Sequence, residues 1–151
     1  MRPFPHYYST HVSGGPFNYA AVTSGGVPPL RSAPPPQFDG PGDAWSPEQF
    51  LLAAVATCFL FTLRAVARAS KLEFLDLELD VEGTVDRPKG STRFTEIVLR
   101  AELVVPAGTD PARARAVLDK TESACLVSAS LATPVRLDTE IREAALVPAV
   151  Q

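Results

Sequence analysis

From Phe50 to Leu63 the chain runs fourteen residues without a charge, and only Thr57 and Thr62 interrupt its apolar side chains. The run has a marked start. Ser46 is a capping residue, Pro47 suits the first helical position, and Gln49 lies three residues after Ser46 as in a capping box. The spacing predicts a helix from Ser46-Pro47 to about Ser70-Lys71, with Arg64 and Arg68 one turn apart near its C-terminus, where the macrodipole favours cations. A helix that is apolar nearly all round must be covered on more than one face. The uncharged run spans only about 21 Å at 1.5 Å per residue, short of the ~30 Å of a membrane core, so a buried core helix is expected rather than a membrane span.

The segments after it supply one cover. Leu75, Leu77, Leu79 and Val81 alternate with Asp76, Glu78, Asp80 and Glu82; Ile97, Leu99, Ala101 and Leu103 alternate with Glu96, Val98, Arg100 and Glu102. These read as strands with one wet and one buried face, joined by a turn within Asp86–Gly90. A third strand is expected over Val135–Arg142, completing an antiparallel sheet. A second helix starts at Thr109-Asp110-Pro111 and runs to about Glu122. A short helix follows from Ser123 or Ala124 to Leu131, stopping before Thr133-Pro134. One sheet covers one side of the central helix, and a second copy of the chain is the economical cover for the other.

Ten of the fifteen prolines lie at or before Pro47. Residues 5–13 and 17–24 read as a hairpin turning at Gly14-Gly15-Pro16. Residues 25–45 read as a Pro-rich irregular segment, anchored by Leu30, Phe38 and Trp45. The element order is β-β, long α, β-β, α-α, β, an α+β chain and not a βαβ series. At 151 residues the whole length, 1–151, is expected to form a single domain. With 46% apolar and 21% charged residues and a net charge of −3, the chain lacks the basic footprint of a nucleic-acid binder. The opening Met-Arg-Pro-Phe-Pro-His-Tyr-Tyr has no apolar signal core, so the expected compartment is the reducing cytoplasm.

Two cysteines are too few for a disulfide framework or a four-Cys zinc site. Cys58 sits mid-helix, where burial raises a thiol pKa unless a cation or donor reaches it. Cys125 stands near the start of the short helix, where free N–H groups and the dipole favour thiolate. Whether the two sulfurs meet is not readable from their spacing. His6 and His11, five apart on an expected strand, face opposite ways and make a poor metal pair. Glu48 sits at the second position of the long helix, where a carboxylate complements the dipole. It is about 15 Å of helix rise from Cys58, too far to touch it within one regular helix.

The segment Ser46-Pro47-Glu48-Gln49-Phe50-Leu51-Leu52-Ala53-Ala54-Val55-Ala56-Thr57-Cys58-Phe59 resembles the helix of the OsmC/Ohr family, an N/S-P-E start followed ten residues later by Cys. Ala124-Cys125-Leu126-Val127-Ser128-Ala129-Ser130-Leu131 resembles that family's second cysteine segment, usually Cys-Pro-Val-Ser, with Leu126 here in place of Pro. The resemblance runs from about residue 5 to 143. It implies the OsmC-like fold, an intertwined homodimer, and no cofactor or metal. It also implies a thiol peroxidase that reduces organic hydroperoxides in oxidative-stress defence. Cys58 is then the peroxidatic residue that becomes a sulfenic acid, and Cys125 the resolving one that closes a disulfide. A dithiol or lipoyl-type partner reduces that disulfide. The family's Glu, here Glu48, orients an Arg that holds the thiolate form. The Arg itself is not evident: Gln37, in Gln37-Phe38-Asp39-Gly40, stands at its position, and Arg31, His6 or His11 are the groups left to replace it. The alternative implied is a weakly catalytic dimeric relative that binds a small hydrophobic or oxidised molecule.

Overall fold

The computed structural model describes residues 3–17 and 19–145. The chain divides into two compact units, one ending at Leu51 and one beginning at Leu52.

In the first unit three short strands, β1 (His11–Gly14), β2 (Ala20–Thr23) and β3 (Leu30–Ser32), form an antiparallel sheet in that order. The hairpin is thus present but shorter than expected, with strand only from His11. The segment 25–45 is more ordered than its prolines imply. It contributes β3, a single 3₁₀ turn at Pro36–Phe38, and a bridge from Ser32 to Trp45. Leu30-Arg31-Ser32 is a proline-free gap between Pro28-Pro29 and Pro34-Pro35-Pro36, so only there are consecutive N–H groups available to pair with β2. Gly40 N donates to Pro35 O at 3.0 Å, and a Cβ at Gly40 would run into the Pro34 carbonyl, so only glycine fits. Trp45 anchors through its backbone, its carbonyl accepting from Ser32 Oγ at 2.8 Å and Ala33 N at 3.1 Å. Its ring is half exposed and stacks on Phe50.

Helix α1 (Pro47–Ser70) has 24 residues. Its capping box is realised reciprocally, Gln49 N donating to Ser46 Oγ at 3.2 Å and Ser46 N to Gln49 Oε1 at 2.9 Å. The full helix is long and apolar enough to cross a membrane on length and composition alone, which the fourteen-residue run did not suggest. Within the second unit it presents one stripe to a core: Val55, Phe59, Leu63, Val66 and Ala67 are buried. Among the described residues its other side is only partly covered, and Phe61 is 58% exposed. The sheet thus covers one side of α1, as expected; the cover expected for the other side is a second copy of the chain.

Under that stripe lies a second sheet, in the order β4 (Asp76–Asp86), β5 (Arg93–Val105), β6 (Val135–Glu143). Ile97, Leu99, Ala101 and Leu103 are buried as the alternation predicts. Leu75 lies outside β4 and is exposed, whereas Val98, on the wet face, is buried. The pairing β4–β5 is antiparallel, but β5–β6 is parallel, from Ile97↔Val135 to Val105↔Glu143. The sheet is mixed, which corrects the antiparallel expectation. Alternation reports the face of a strand and not its direction. The direction comes from the connection: α2 (Pro111–Ala124) and α3 (Leu126–Ala129) carry the chain back to the start of β5, as a parallel pair requires. One βαβ unit thus sits inside the α+β fold.

Asp110 caps α2, its Oδ1 accepting from Ala112 N at 2.9 Å, with Pro111 following. Ala114, Val117 and Leu118 of α2 join the core formed by α1 and β5. The short helix α3 is shorter than Ser123–Leu131 because Cys125, at ψ 113°, is extended and separates it from α2.

Candidate active site

The second unit brings Cys58 and Cys125 together. Cys58 projects from the middle of α1 and is partly exposed; Cys125 is fully buried at the junction of α2 and α3. Both are free thiols. Each lies near enough to act on the other's ionisation, Cys125 drawing the Cys58 thiol down and Cys58 pushing the Cys125 thiol up.

The junction that holds Cys125 also serves Cys58. The first N–H groups of a helix have no partner within it. Those of Leu126 and Val127 act on Cys58 and favour its thiolate. Thr62, one turn along α1, places its Oγ 4.0 Å from Cys58 Sγ. Burial is the largest single influence on Cys58 and pushes its pKa up. The Val127 N–H, the Cys125 thiol, the Thr62 hydroxyl and the Leu126 N–H together overcome it, so the Cys58 thiol lies below its ordinary value. Cys125 moves the other way. Burial pushes it up, opposed by the Ser128 hydroxyl and N–H, while its hydrogen bond to Cys58 and the Cys58 charge push it further up. The expectation that the α3 N-terminus favours a Cys125 thiolate is thus corrected: its leading N–H groups act on Cys58, while burial pushes the Cys125 thiol up.

Glu48 does not belong to this cluster. It lies in the first unit, where it lines an apolar cavity of about 540 Å³ with Ala20, Val22, Ala33, Phe38 and Phe50 among its walls. Its Oε2 is buried without a hydrogen-bond partner among the described residues. Arg31 is occupied elsewhere. It bonds the Asp43 carbonyl at 3.0 Å, pairs with the Asp43 carboxylate at 3.5 Å, and lies 4.3 Å over the Tyr19 ring. Pairing with Ala21, it sits on the sheet face opposite Ala20, Val22 and Ser32, which line the cavity. Gln37 is exposed in the 3₁₀ turn, His11 is exposed on β1, and His6 lies before β1 stacked on Phe4. Among the described residues, no guanidinium or imidazolium is one of the groups that shift Cys58.

Sequence reasoning missed Thr62, the two N–H groups, Ser128 and Glu122. Thr62 had a signal, four residues after Cys58 on the same helix face. Ser128, three residues after Cys125, acts on its thiol through hydroxyl and N–H, while Glu122, three residues before, accepts from Cys125 N through its carbonyl at 3.1 Å. Thr62→Val removes one of four donors to Cys58. The pH midpoint of its alkylation is expected to rise, read as iodoacetamide rate against pH in a Cys125→Ser background. An unchanged midpoint would discount the hydroxyl.

An α+β unit with a long core helix against a three-stranded mixed sheet defines a class, the OsmC-like fold. The chain belongs to that family: residues 40–140 match the sequence model of the family described as OsmC-like protein. It is 36% identical over 143 residues to the uncharacterised protein YmaD of Bacillus subtilis (strain 168), covering 93% of this chain and 95% of that one. It is 30% identical over 120 residues to an organic hydroperoxide resistance protein of Xanthomonas axonopodis pv. citri (strain 306), covering 78% and 82%. The fold matches an OsmC-like protein of Vibrio cholerae at a TM-score of 0.81 and 16% identity, over 90% of this chain and 100% of that one. It also matches an organic hydroperoxide resistance protein OsmC of Legionella pneumophila at 0.71 and 22%, over 93% and 99%.

Proposed function

We propose that this chain is a thiol peroxidase that reduces organic hydroperoxides in defence against oxidative stress. The observation that carries the reading is the asymmetry of the two free cysteines: the partly exposed Cys58 thiol is drawn below its ordinary value while the buried Cys125 thiol, which acts on it, is pushed up. In the first step Cys58 thiolate attacks the terminal peroxide oxygen. An S–O bond forms, the O–O bond breaks, and the alkoxide takes a proton and leaves as the alcohol. Cys58 becomes a sulfenic acid, and the peroxide has gained two electrons. Cys125 then attacks the sulfenic sulfur, water leaves, and the disulfide closes. An external dithiol, lipoyl-type in the cell, returns two electrons by thiol–disulfide exchange.

In this reading the thiolate is held by neutral donors in place of the family's Arg, and the working form is a homodimer in the cytoplasm, where reduced thiols are available. Glu48 acts from the second copy, because the helix rise that separates it from Cys58 in its own chain is about 15 Å. The absence of a cation among the groups acting on Cys58 favours a second reading, a slow relative that binds an apolar or oxidised molecule in the Glu48 cavity. Loss of cumene hydroperoxide in the presence of dithiothreitol separates the two. Turnover is expected, with Cys58→Ser falling to the rate of dithiothreitol alone; a wild-type rate no faster than that variant leaves only the binding reading.

A further inference from the structure

The cavity of the first unit presents a ligand with one uncommitted polar side chain among the described residues. Glu48 lines it, and Glu48 Oε2 is buried without a hydrogen-bond partner among those residues. A carboxylate only accepts, so whatever satisfies it must bring a donor. The surrounding wall has none to spare. Pro34, Pro35 and Pro47 carry no N–H. Ser32 commits its hydroxyl to Trp45 O at 2.8 Å, and Ala33 N donates to the same carbonyl at 3.1 Å. Val22, Phe38 and Phe50 make the rest apolar. Arg31 sits on the opposite sheet face, held by the Asp43 carbonyl and carboxylate. The start of α1 beside Glu48 is closed to an anion as well. Gln49 N donates to Ser46 Oγ at 3.2 Å, Phe50 N donates to Ser46 O at 3.0 Å, and the Glu48 carboxylate itself repels negative charge.

We propose that this cavity binds an amphipathic cation, an amine on an aliphatic or aromatic body, with the ammonium donating to Glu48 Oε2 and the body against Val22, Phe38 and Phe50. This names the ligand class for the binding reading, on which it rests, and does not depend on turnover at Cys58. A neutral donor such as an alcohol would make the hydrogen bond but leave the carboxylate charge uncompensated in an apolar wall, where a charge is costly unless paired. A hydrogen bond between two ionised groups is also about twice as strong as one between neutral groups. At about 540 Å³ the cavity has the size of a small-molecule site, and its make-up, apolar walls with one placed polar group, is that of such sites. Val12 and Phe38 line it while themselves exposed, so solvent and ligand reach it.

Trp45, the only tryptophan, stacks on Phe50 with ring centroids 5.8 Å apart and planes 9° from parallel, so its emission reports on the cavity wall. Three probes share one body and differ in charge: phenylpropylamine, phenylpropanol and phenylpropanoate. Each is titrated near neutral pH into the full chain and into Cys58→Ser, which lacks the peroxidatic sulfur. In both proteins the amine is expected to bind about tenfold tighter than the alcohol, near the low end for a hydrogen bond to a charged group, and the propanoate weakest. Glu48→Gln, which keeps the size of the side chain, should lower amine affinity about tenfold and leave the alcohol within about twofold. Ala20→Leu, which fills the cavity, should weaken both. An alcohol bound as tightly as the amine, or an amine affinity that survives Glu48→Gln, overturns the cation site and leaves an apolar binding cavity. Tightest binding of the propanoate overturns it equally. If no probe binds, the cation site and the binding reading fail together. Amine binding confined to monomer, with sedimentation as the readout, would give the cavity to a second copy of the chain and overturn the proposal.

Discussion

Cys125→Ser is expected to convert a recycling enzyme into one that destroys itself. The variant should consume its first equivalent of hydroperoxide, because the Leu126 and Val127 N–H groups and Thr62 still act on Cys58. Its rate at neutral pH should change little, since a serine hydroxyl in the place of the weakly donating thiol is at least as good a hydrogen-bond donor. The larger effect follows that first turnover. With no second sulfur to trap it, the sulfenic acid meets further peroxide and is carried to sulfinic acid, which ordinary thiols do not reverse. Intact-mass spectrometry under excess cumene hydroperoxide should show the wild type stopping at the disulfide, two hydrogens lighter, and the variant gaining two oxygens. Activity in the variant should disappear within a few turnovers. Sustained turnover of the variant under excess peroxide, with Cys58 never reaching the sulfinic level, would remove Cys125 from the resolving role.

The parts of this site that were legible in the sequence are those set by local pattern. Ser46-Pro47-Glu48-Gln49 predicted the start of α1, and the capping box is formed. Alternation over residues 77–82 and 97–103 predicted two faces, and the buried set agrees at Ile97, Leu99, Ala101 and Leu103. What stayed hidden depends on direction and on breaks. The parallel run of β6 comes from a crossover whose geometry no strand encodes by itself. The extended conformation of Cys125 splits one expected helix at an earlier point, and that single ψ decides which sulfur the freed N–H groups reach. Composition near Cys125 therefore pointed to the right residue type and the wrong thiolate. Gln37 at the position of the expected Arg was legible, but the action of the Leu126 and Val127 N–H groups on Cys58 was not, since main-chain N–H groups have no letter in the sequence.

Helix α1 supplies the second large effect, because two phenylalanines a half-turn apart occupy opposite situations. Phe59 is fully buried in the core with Val55 and Leu63, against Leu99, Leu103 and Leu118. Phe59→Ala should lower stability by about 3–5 kcal/mol, the lost transfer term plus the cavity left behind. In denaturant titration the midpoint should fall with the slope unchanged. Phe61 is 58% exposed, and Leu126, beside Cys125, is 68% exposed. Apolar side chains so placed gain little by folding within one chain and gain by covering against a second copy. Phe61→Asp is therefore expected to change intrinsic unfolding little and to shift sedimentation from dimer to monomer. Leu126 carries one of the N–H groups that hold Cys58, so a partner lying over it would also exclude water from the thiolate, where each donor counts for more. Peroxidase activity should accordingly fall with the dimer even though both cysteines remain. A wild-type chain that sediments as a monomer at assay concentration, yet turns over at full rate, would show that one copy suffices and that the bare face of α1 serves something else.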